Sequence, residues 1–141
     1  MFHSNTVGAL LYAVFALEAA HGSLVQDRLA KLIPNGKGDG LAASMLREQG
    51  LTTMYQVTPY LFMDASDRPT PEMIDECSKG ITMRNELAHG LKSKGKYKIR
   101  NRSDGEMQKA YSAVIKMARL YMTVLEKEHG PTPLLLAHAK G

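Results

Sequence analysis

Arg84, Asn85 and His89 are the residues whose types and spacing could do chemistry. A guanidinium binds phosphate oxygens through paired hydrogen bonds and stays charged at all accessible pH values. A histidine can donate or accept a proton near neutral pH. Asn85 and His89 are four residues apart, so they share a face if the helix is continuous. His89 is therefore a candidate for acid–base chemistry, with Asn85 on the same face of the helix.

Each of these residues also has a structural interpretation. Arg84 stands where the apolar face of its helix predicts a hydrophobic residue, and a buried guanidinium is costly unless it is paired. A salt bridge to Glu18 or to Asp75 would meet that requirement. His89 could cap the end of its helix, where the helix dipole favours the imidazolium. The residues by themselves leave both interpretations open.

Periodic apolar positions predict the elements that must hold this set. A first helix, capped by a residue between Ser4 and Thr6, runs to about Ile33, and Pro34-Asn35-Gly36 stops it. Asp39 caps a short second helix that Gly50 closes. The third starts at Thr52 or Thr53 and is kinked or shortened by Pro59; its predicted inward residues are Met54, Val57, Leu61 and Phe62.

The last two helices have clearer boundaries. Thr70-Pro71 opens the fourth, which is predicted to end at Gly90 with His89 in its last turn and Ile74, Cys77, Ile81, Arg84 and Ala88 inward. Ser103 to Glu106 forms a capping box for the fifth, which ends at Gly130-Pro131. Its inward residues are Met107, Tyr111, Val114, Ala118, Tyr121 and Leu125. The fold class is therefore all-α, an antiparallel bundle of four to five helices.

Composition sets further bounds on the function. The 141 residues fit one domain, 1–141, and 44% apolar content is typical of a globular chain. Cys77 is the only cysteine, which excludes an intramolecular disulfide and a thiolate metal cage. His21 faces either the core or the site, and the other histidines, at 3, 129 and 138, have no metal-binding spacing. No metal and no cofactor are predicted.

The positive charge is concentrated in a basic connector, residues 91–103. It contains Lys92, Lys94, Lys96, Lys98, Arg100 and Arg102. The net charge of the chain is +4, yet outside these six there are fewer basic than acidic residues. In extended form the alternating cations would follow a phosphate backbone beside His89, with Tyr97 available to stack on a base, which predicts RNA binding. The alternative is a solvated loop.

Both ends of the chain are apolar. Val7 to Leu17 resembles part of a signal peptide, but no Lys or Arg precedes it, and Glu18 and His21 interrupt it. The run is shorter than the roughly 20 residues that span a bilayer. We therefore expect a cytoplasmic protein without a membrane segment. The tail, residues 130–141, carries three leucines that would dock on the body or on a second subunit.

The stretch Arg84-Asn85-Glu86-Leu87-Ala88-His89-Gly90 resembles the signature of HEPN domains: an arginine, a polar residue, and a histidine four to six residues after the arginine. It precedes the final long helix, as in that family. The resemblance implies a small helical domain, commonly dimeric, in which two motifs meet at the subunit interface. Many members are metal-independent endoribonucleases of toxin–antitoxin and other defence systems.

The resemblance implies roles for the three residues. His89 would be the acid or base, Arg84 would hold the phosphate, and Asn85 would orient the phosphate or the 2′-hydroxyl. The expected function is cleavage of single-stranded RNA by a homodimer, as a toxin or defence effector with a possible antitoxin or other protein partner. Leu91 stands where family toxins paired with a nucleotidyltransferase antitoxin often have a tyrosine, so that partnership is not implied.

Two other functions remain open at this point. A HEPN module without catalysis would bind a nucleotide, RNA or a protein through the same cleft. A plain helical bundle would have Arg84 ion-paired within its own subunit and His89 pointing elsewhere. A structure separates the plain bundle from the other two, whereas only an assay separates binding from cleavage.

Overall fold

The computed structural model describes residues 2–33, 36–48, 50–93 and 103–130. These residues form five α-helices and one turn of 3₁₀-helix, and none of them is in a β-strand. The prediction of an all-α fold is confirmed. The helices are α1 (Phe2–Leu32), α2 (Lys37–Glu48), α3 (Leu51–Phe62), α4 (Pro71–Ser93) and α5 (Asp104–His129), with the 3₁₀ turn at Ala65–Asp67 between α3 and α4.

Helix α1 is the centre of the fold and contacts all four other helices. Its buried face carries Leu10, Val14, Leu17 and Leu24 at helical spacing, each fully or almost fully buried. Its most extensive packing is against α5. Contacts between His21 and Tyr121 and between Arg28 and Glu128 show that the two helices run in the same direction. Such parallel packing is what an up-and-down chain gives its odd-numbered helices.

Helix α5 agrees with its prediction at both ends. The Ser103 hydroxyl accepts a hydrogen bond from the Glu106 N–H at 3.1 Å, as a capping box requires. Gly130 ends the helix with a φ of 68°, and its N–H donates to the Glu126 carbonyl at 2.8 Å. Five of the six predicted inward residues are buried: Met107, Val114, Ala118, Tyr121 and Leu125. Long, regular periodicity made this helix readable from sequence.

Helix α3 presents a different face to the core than the sequence predicts. Val57 and Leu61 are exposed, at 45% and 60%, whereas Tyr55 and Thr58 are buried. The hydroxyl of Thr58 is hydrogen-bonded to a buried histidine of α1, which offsets the cost of burying a polar side chain. Pro59 does not end the helix, which continues to Phe62. Of the other two predicted inward residues, Phe62 is half-buried and packs against Val25, whereas the side chain of Met54 is not described. A helix with apolar residues on every side gives no clear periodic signal, and its inward face was predicted only in part.

Helix α4 is longer than predicted. It passes through Gly90 and ends at Ser93, so Gly90 is not the residue that stops it. In the described residues only Gly36 and Gly130 have positive φ, the conformation that a terminating glycine usually adopts. His89 is therefore a full turn from the helix end rather than in the last turn. The first three residues of the predicted basic connector, 91–93, are helical.

Helices α4 and α5 approach closely at Gly80. A Cβ atom there would lie 2.8 Å from the Val114 Cγ2 atom and 3.0 Å from the Ala110 carbonyl oxygen. A side chain at this position would push the two helices apart. The glycine therefore fixes how α4, and the motif near its end, sits on the bundle.

By length and composition α1 could cross a membrane, over Thr6–Leu32. The core helix of a globular protein and a signal sequence satisfy the same criterion. In this fold 39% of the apolar window is buried against the other helices. The membrane-free, cytoplasmic location remains a prediction.

Candidate functional site

Arg84 lies on the inner side of α4 and reaches α1. Its Nη2 atom donates a hydrogen bond to the Glu18 Oε1 atom at 3.3 Å. The Arg84 side chain is 26% exposed and that of Glu18 is 43% exposed. This is the salt bridge to Glu18 that the sequence offered as a structural interpretation. Arg84 is half-buried, so an incoming anion could still reach its guanidinium.

The guanidinium of Arg84 has donors to spare. Its Nε atom is buried and makes no hydrogen bond within the described part of the chain. Nε and Nη2 form one edge of the guanidinium, the edge that can hold a carboxylate or phosphate through two parallel bonds. Glu18 occupies only the Nη2 half of it, and at a long distance. Arg84 is thus anchored by one contact rather than enclosed by several.

Asn85 and His89 are both exposed on α4 and share a face, as predicted. Arg84 and His89, five residues apart, point in directions that differ by about 140° around the helix axis. The three side chains therefore do not converge on one side of α4. A compact set of arginine, asparagine and histidine would need residues from a second copy of the motif.

The predicted RNA-binding residues fall largely outside the described residues. Lys92 is in the last turn of α4. The other five, Lys94, Lys96, Lys98, Arg100 and Arg102, lie outside the described residues. The basic track beside the motif stays a prediction.

His21 is a core histidine rather than a member of the site. Its side chain is fully buried, and its Nε2 atom is 2.8 Å from the Thr58 hydroxyl oxygen. Its ring lies 5.6 Å from the ring of Tyr121. Burial disfavours the charged imidazolium and lowers the pKa of His21 to about 4. The residue is neutral at physiological pH, which suits the core and not proton transfer at the surface.

Cys77 is an unreactive cysteine. It is fully buried on α4, and burial raises the pKa of its thiol to about 12, against a smaller opposing effect of a hydrogen bond with Tyr55. The thiolate is the nucleophilic form, so a thiol with this pKa is unreactive at neutral pH. The single cysteine fills space in the core.

Sequence reasoning missed a charged cluster where the C-terminal ends of α1 and α5 meet. We call it the terminal cluster. Arg28 donates to both carboxylate oxygens of Glu128, at 2.8 and 2.6 Å, and Lys31 donates to Glu128 at 3.1 Å. His129 Nε2 lies 2.9 Å from the Asp27 Oδ1 atom. The available signal was the excess of charge at the two predicted helix ends, but spacing within one helix cannot show that two ends meet.

Asp27, Glu128 and His129 are the one trio of described residues close enough to share a metal ion. Two cations already neutralise the two carboxylates, so the cluster offers a divalent metal little electrostatic attraction. Glu128 is held ionised: although partial desolvation opposes the change, its hydrogen bonds and charge interactions with Lys31 and Arg28 lower its pKa. The arrangement fits a clamp between helix ends better than a metal site.

A groove of about 440 Å³ runs between α4 and α5. Gly80, Ala110 and Ala113 line it with small side chains, and Glu72, Glu76 and Lys109 are among the charged residues beside them. Lys79, also in the groove, is paired with Asp75 at 3.1 Å. Neither Arg84 nor His89 lines the groove, so it is separate from the motif.

Compared with protein-family models, with curated proteins and with solved structures, the chain shows no significant match.

Proposed function

We propose that this protein is a metal-independent endoribonuclease of HEPN type that cleaves single-stranded RNA as a homodimer. The proposal rests on the RNELAHG stretch at 84–90 and on its setting, a long helix directly before the last helix of an all-α domain. A toxin or defence effector in the cytoplasm, controlled by an antitoxin or other protein partner, is the biological role that fits such an activity.

The observation that carries the proposal is the state of Arg84. Its guanidinium is partly exposed, is held by one long contact, and has a donor at Nε that nothing in the described part of the chain satisfies. An arginine kept for stability alone would be expected to have more of its donors engaged. The partly exposed guanidinium suits the binding of a phosphate group in exchange for Glu18.

The proposed reaction needs no metal. A histidine acting as base removes the proton of the ribose 2′-hydroxyl, and the 2′-oxygen attacks the adjacent phosphorus. The bond from phosphorus to the 5′-oxygen breaks, and an acid donates a proton to that oxygen. Arg84 offsets the charge that develops on the phosphate, and Asn85 orients it by hydrogen bonding. The products are a 2′,3′-cyclic phosphate and a 5′-hydroxyl, so DNA is not cut.

The geometry of a single motif is the reason for proposing a homodimer. A single copy supplies one motif histidine, and Arg84 and His89 point away from each other around α4. Two motifs facing each other would supply an acid and a base, with an arginine beside each. The second subunit is therefore part of the proposed active site.

The test is cleavage of end-labelled single-stranded RNA in the presence of EDTA. We expect the parent protein to yield cyclic-phosphate ends, and Arg84→Ala and His89→Ala each to lower the rate by at least about 100-fold. Arg119→Ala, an exposed cation on α5, is the matched control and should cleave normally. If all variants are equally active, a contaminating nuclease is responsible, and if all are silent on diverse RNAs, catalysis is excluded.

The contact between Arg84 and Glu18, with His89 pointing away from it, is the arrangement expected of a plain helical bundle. It is also compatible with a second candidate function, a HEPN module that binds a nucleotide, RNA or a protein without turnover. A carboxylate of the same chain occupies part of the guanidinium edge on which catalysis would depend. Fluorescence anisotropy with labelled RNA separates the two candidates. A binding module would hold RNA with Arg84 intact, lose it in Arg84→Ala, keep it in His89→Ala, and release no product.

A further inference from the structure

Helix α1 has an apolar outer face that none of the described residues covers. Tyr12 is 61% exposed and Phe15 is 67% exposed, although both rings are large. Gly8 and Ala19, on the same side, are also exposed. At 100° per residue these four positions fall within an arc of about 60°, so they form one stripe. We call Gly8, Tyr12, Phe15 and Ala19 the outer stripe.

The outer stripe is symmetric along the helix. Its small residues are at 8 and 19 and its aromatic residues at 12 and 15, so both pairs have their midpoint between residues 13 and 14. A two-fold axis through that midpoint, perpendicular to α1, would place Tyr12 opposite Phe15 of a second copy and Gly8 opposite Ala19. An interface around a two-fold axis must be self-complementary in this way.

The part of α1 that carries the stripe has few charged residues. From Thr6 to Gln26, Glu18 is the only acidic or basic residue apart from the buried His21. The carboxylate of Glu18 is already bound to Arg84. A Cβ atom at Gly8 would meet nothing within 4 Å, so the backbone there is open to a close neighbour.

We propose that the outer stripe is the interface through which two copies of this chain form an antiparallel α1–α1 dimer. A weak dimer is expected, because an aromatic side chain buries about 150–250 Å² and the four partly exposed rings supply about 400–650 Å². Stable complexes bury about 1,200 Å² or more, so flanking residues must contribute and the dimer should dissociate at roughly micromolar concentrations.

The interface would place Arg84 of each copy at the border of the dimer contact. Glu18 follows Phe15 by three residues and binds Arg84, so the two arginines lie at the border of the contact. In this respect the inference rests on the proposed function, which needs two motifs close together. It is tested by mass rather than by cleavage, so the two can fail separately.

The experiment measures mass by sedimentation velocity across a concentration series, with a pair of charge variants. Phe15→Glu and Tyr12→Lys each place an unpaired charge in the interface, so each should be monomeric. Mixed in equal amounts, the two should form a heterodimer, because Glu at 15 of one copy would face Lys at 12 of the other. Leu32→Glu, at an equally exposed apolar position of α1 outside the stripe, should dimerise like the parent.

Three results would overturn the proposal: a parent that is monomeric at every concentration, a Phe15→Glu variant that still dimerises, or a mixture that stays monomeric. Binding of the monomeric parent to lipid vesicles would show that a bilayer covers the stripe instead. If the parent is monomeric and its stripe becomes exposed only after residues 131–141 are deleted, the tail covers the stripe. Dimerisation without RNA cleavage would support the proposed interface and contradict the proposed enzymatic activity.

Discussion

Arg28 and Arg84 each link α1 to another helix, and their hydrogen bonding within the described residues differs greatly. Arg28, in the terminal cluster, donates from Nε to the Phe62 carbonyl at 3.0 Å, from Nη1 to Asp27 and Glu128, and from Nη2 to Glu128. Its side chain is 13% exposed. Within the described residues Arg84 makes one hydrogen bond, at 3.3 Å, and its side chain is 26% exposed. In that part of the chain the guanidinium of Arg28 has acceptors at all three nitrogens, and that of Arg84 at one.

The difference teaches what a structural arginine looks like in this fold. Residues of three helices bond to Arg28, so it links α1 to α3 and α5. These bonds offset the free-energy cost of removing its guanidinium from water. Arg84 is half-buried, and its Nε donor has no acceptor among the described residues, which costs free energy. An arginine held this loosely can exchange its one carboxylate contact for a ligand.

The largest expected effect is on activity. Replacing Arg84 with lysine keeps the charge but removes the planar pair of donors, so RNA cleavage should fall by at least about 100-fold. Arg28→Lys, the same change in the terminal cluster, should leave cleavage unchanged. The measurement is the rate of product formation on one RNA at saturating protein. Equal losses in both variants would mean that Arg84 acts only through the stability of the fold.

Acid should weaken the fold through the core rather than through either arginine. His21 has a pKa lowered to about 4, so the unfolded chain takes up a proton near pH 6.5 while the folded protein does not. The free energy of unfolding should fall as the pH drops from about 6.5 to about 4, by about 3 kcal/mol at most. Urea titrations at a series of pH values would measure it.

The same slope should appear in Arg84→Ala, since an arginine does not titrate in this range. His21→Gln should flatten it. A slope that survives the glutamine substitution would trace the acid effect to the carboxylates of the ion pairs instead.

The two arginines should rank in opposite order for stability and for activity. Arg28 should contribute more to the free energy of unfolding, and Arg84 more to cleavage. Arg28→Ala removes hydrogen bonds to two carboxylates and a carbonyl and should cost about 2 kcal/mol of unfolding free energy. Arg84→Ala removes one long, partly exposed contact and should cost less than about 1 kcal/mol. Urea midpoints of the two variants at neutral pH give the comparison. A greater loss at Arg84 would show that its contact with Glu18 is structural.

The smallest expected effect concerns the close packing of α4 against α5. Gly80→Ala puts a methyl group against Val114 and the Ala110 carbonyl, and we expect a net loss of about 1 kcal/mol after the gain in helix propensity. Gly40→Ala, in a helix position with open space around it, should be neutral or slightly stabilising. Thermal unfolding of the two variants checks this. Two stable variants would mean that the helices separate without cost.

The sequence predicted the parts of the fold that repeat regularly. Helix α5 has a capping serine, a long apolar line and a terminating glycine, and each of these local signals appears in the structure. Helix α3 has apolar residues all around, so burial was decided by its neighbours, and the prediction was wrong for Val57 and Leu61. Gly90 was taken as a stop, but a glycine can continue a helix when tertiary packing holds it.

The candidate site was predictable in its composition and not in its geometry. The types and spacing of Arg84, Asn85 and His89 marked them, and Glu18 was one of two partners foreseen for the arginine. The length and number of hydrogen bonds depend on how α1 and α4 cross, which no local pattern encodes. The terminal cluster was missed for the same reason, since its members lie about a hundred positions apart in sequence.

The pairing of α1 with α5 also sets the order in which this protein can fold. Of the five helices α1 leaves the ribosome before the others, yet the helix with which it packs most extensively, α5, is the last of the five to be made. Until then α1 lacks its most extensive partner, so part of its apolar face is uncovered in the nascent chain. We expect the growing polypeptide to be a substrate for chaperones and to become protease-resistant only once α5 has left the exit tunnel.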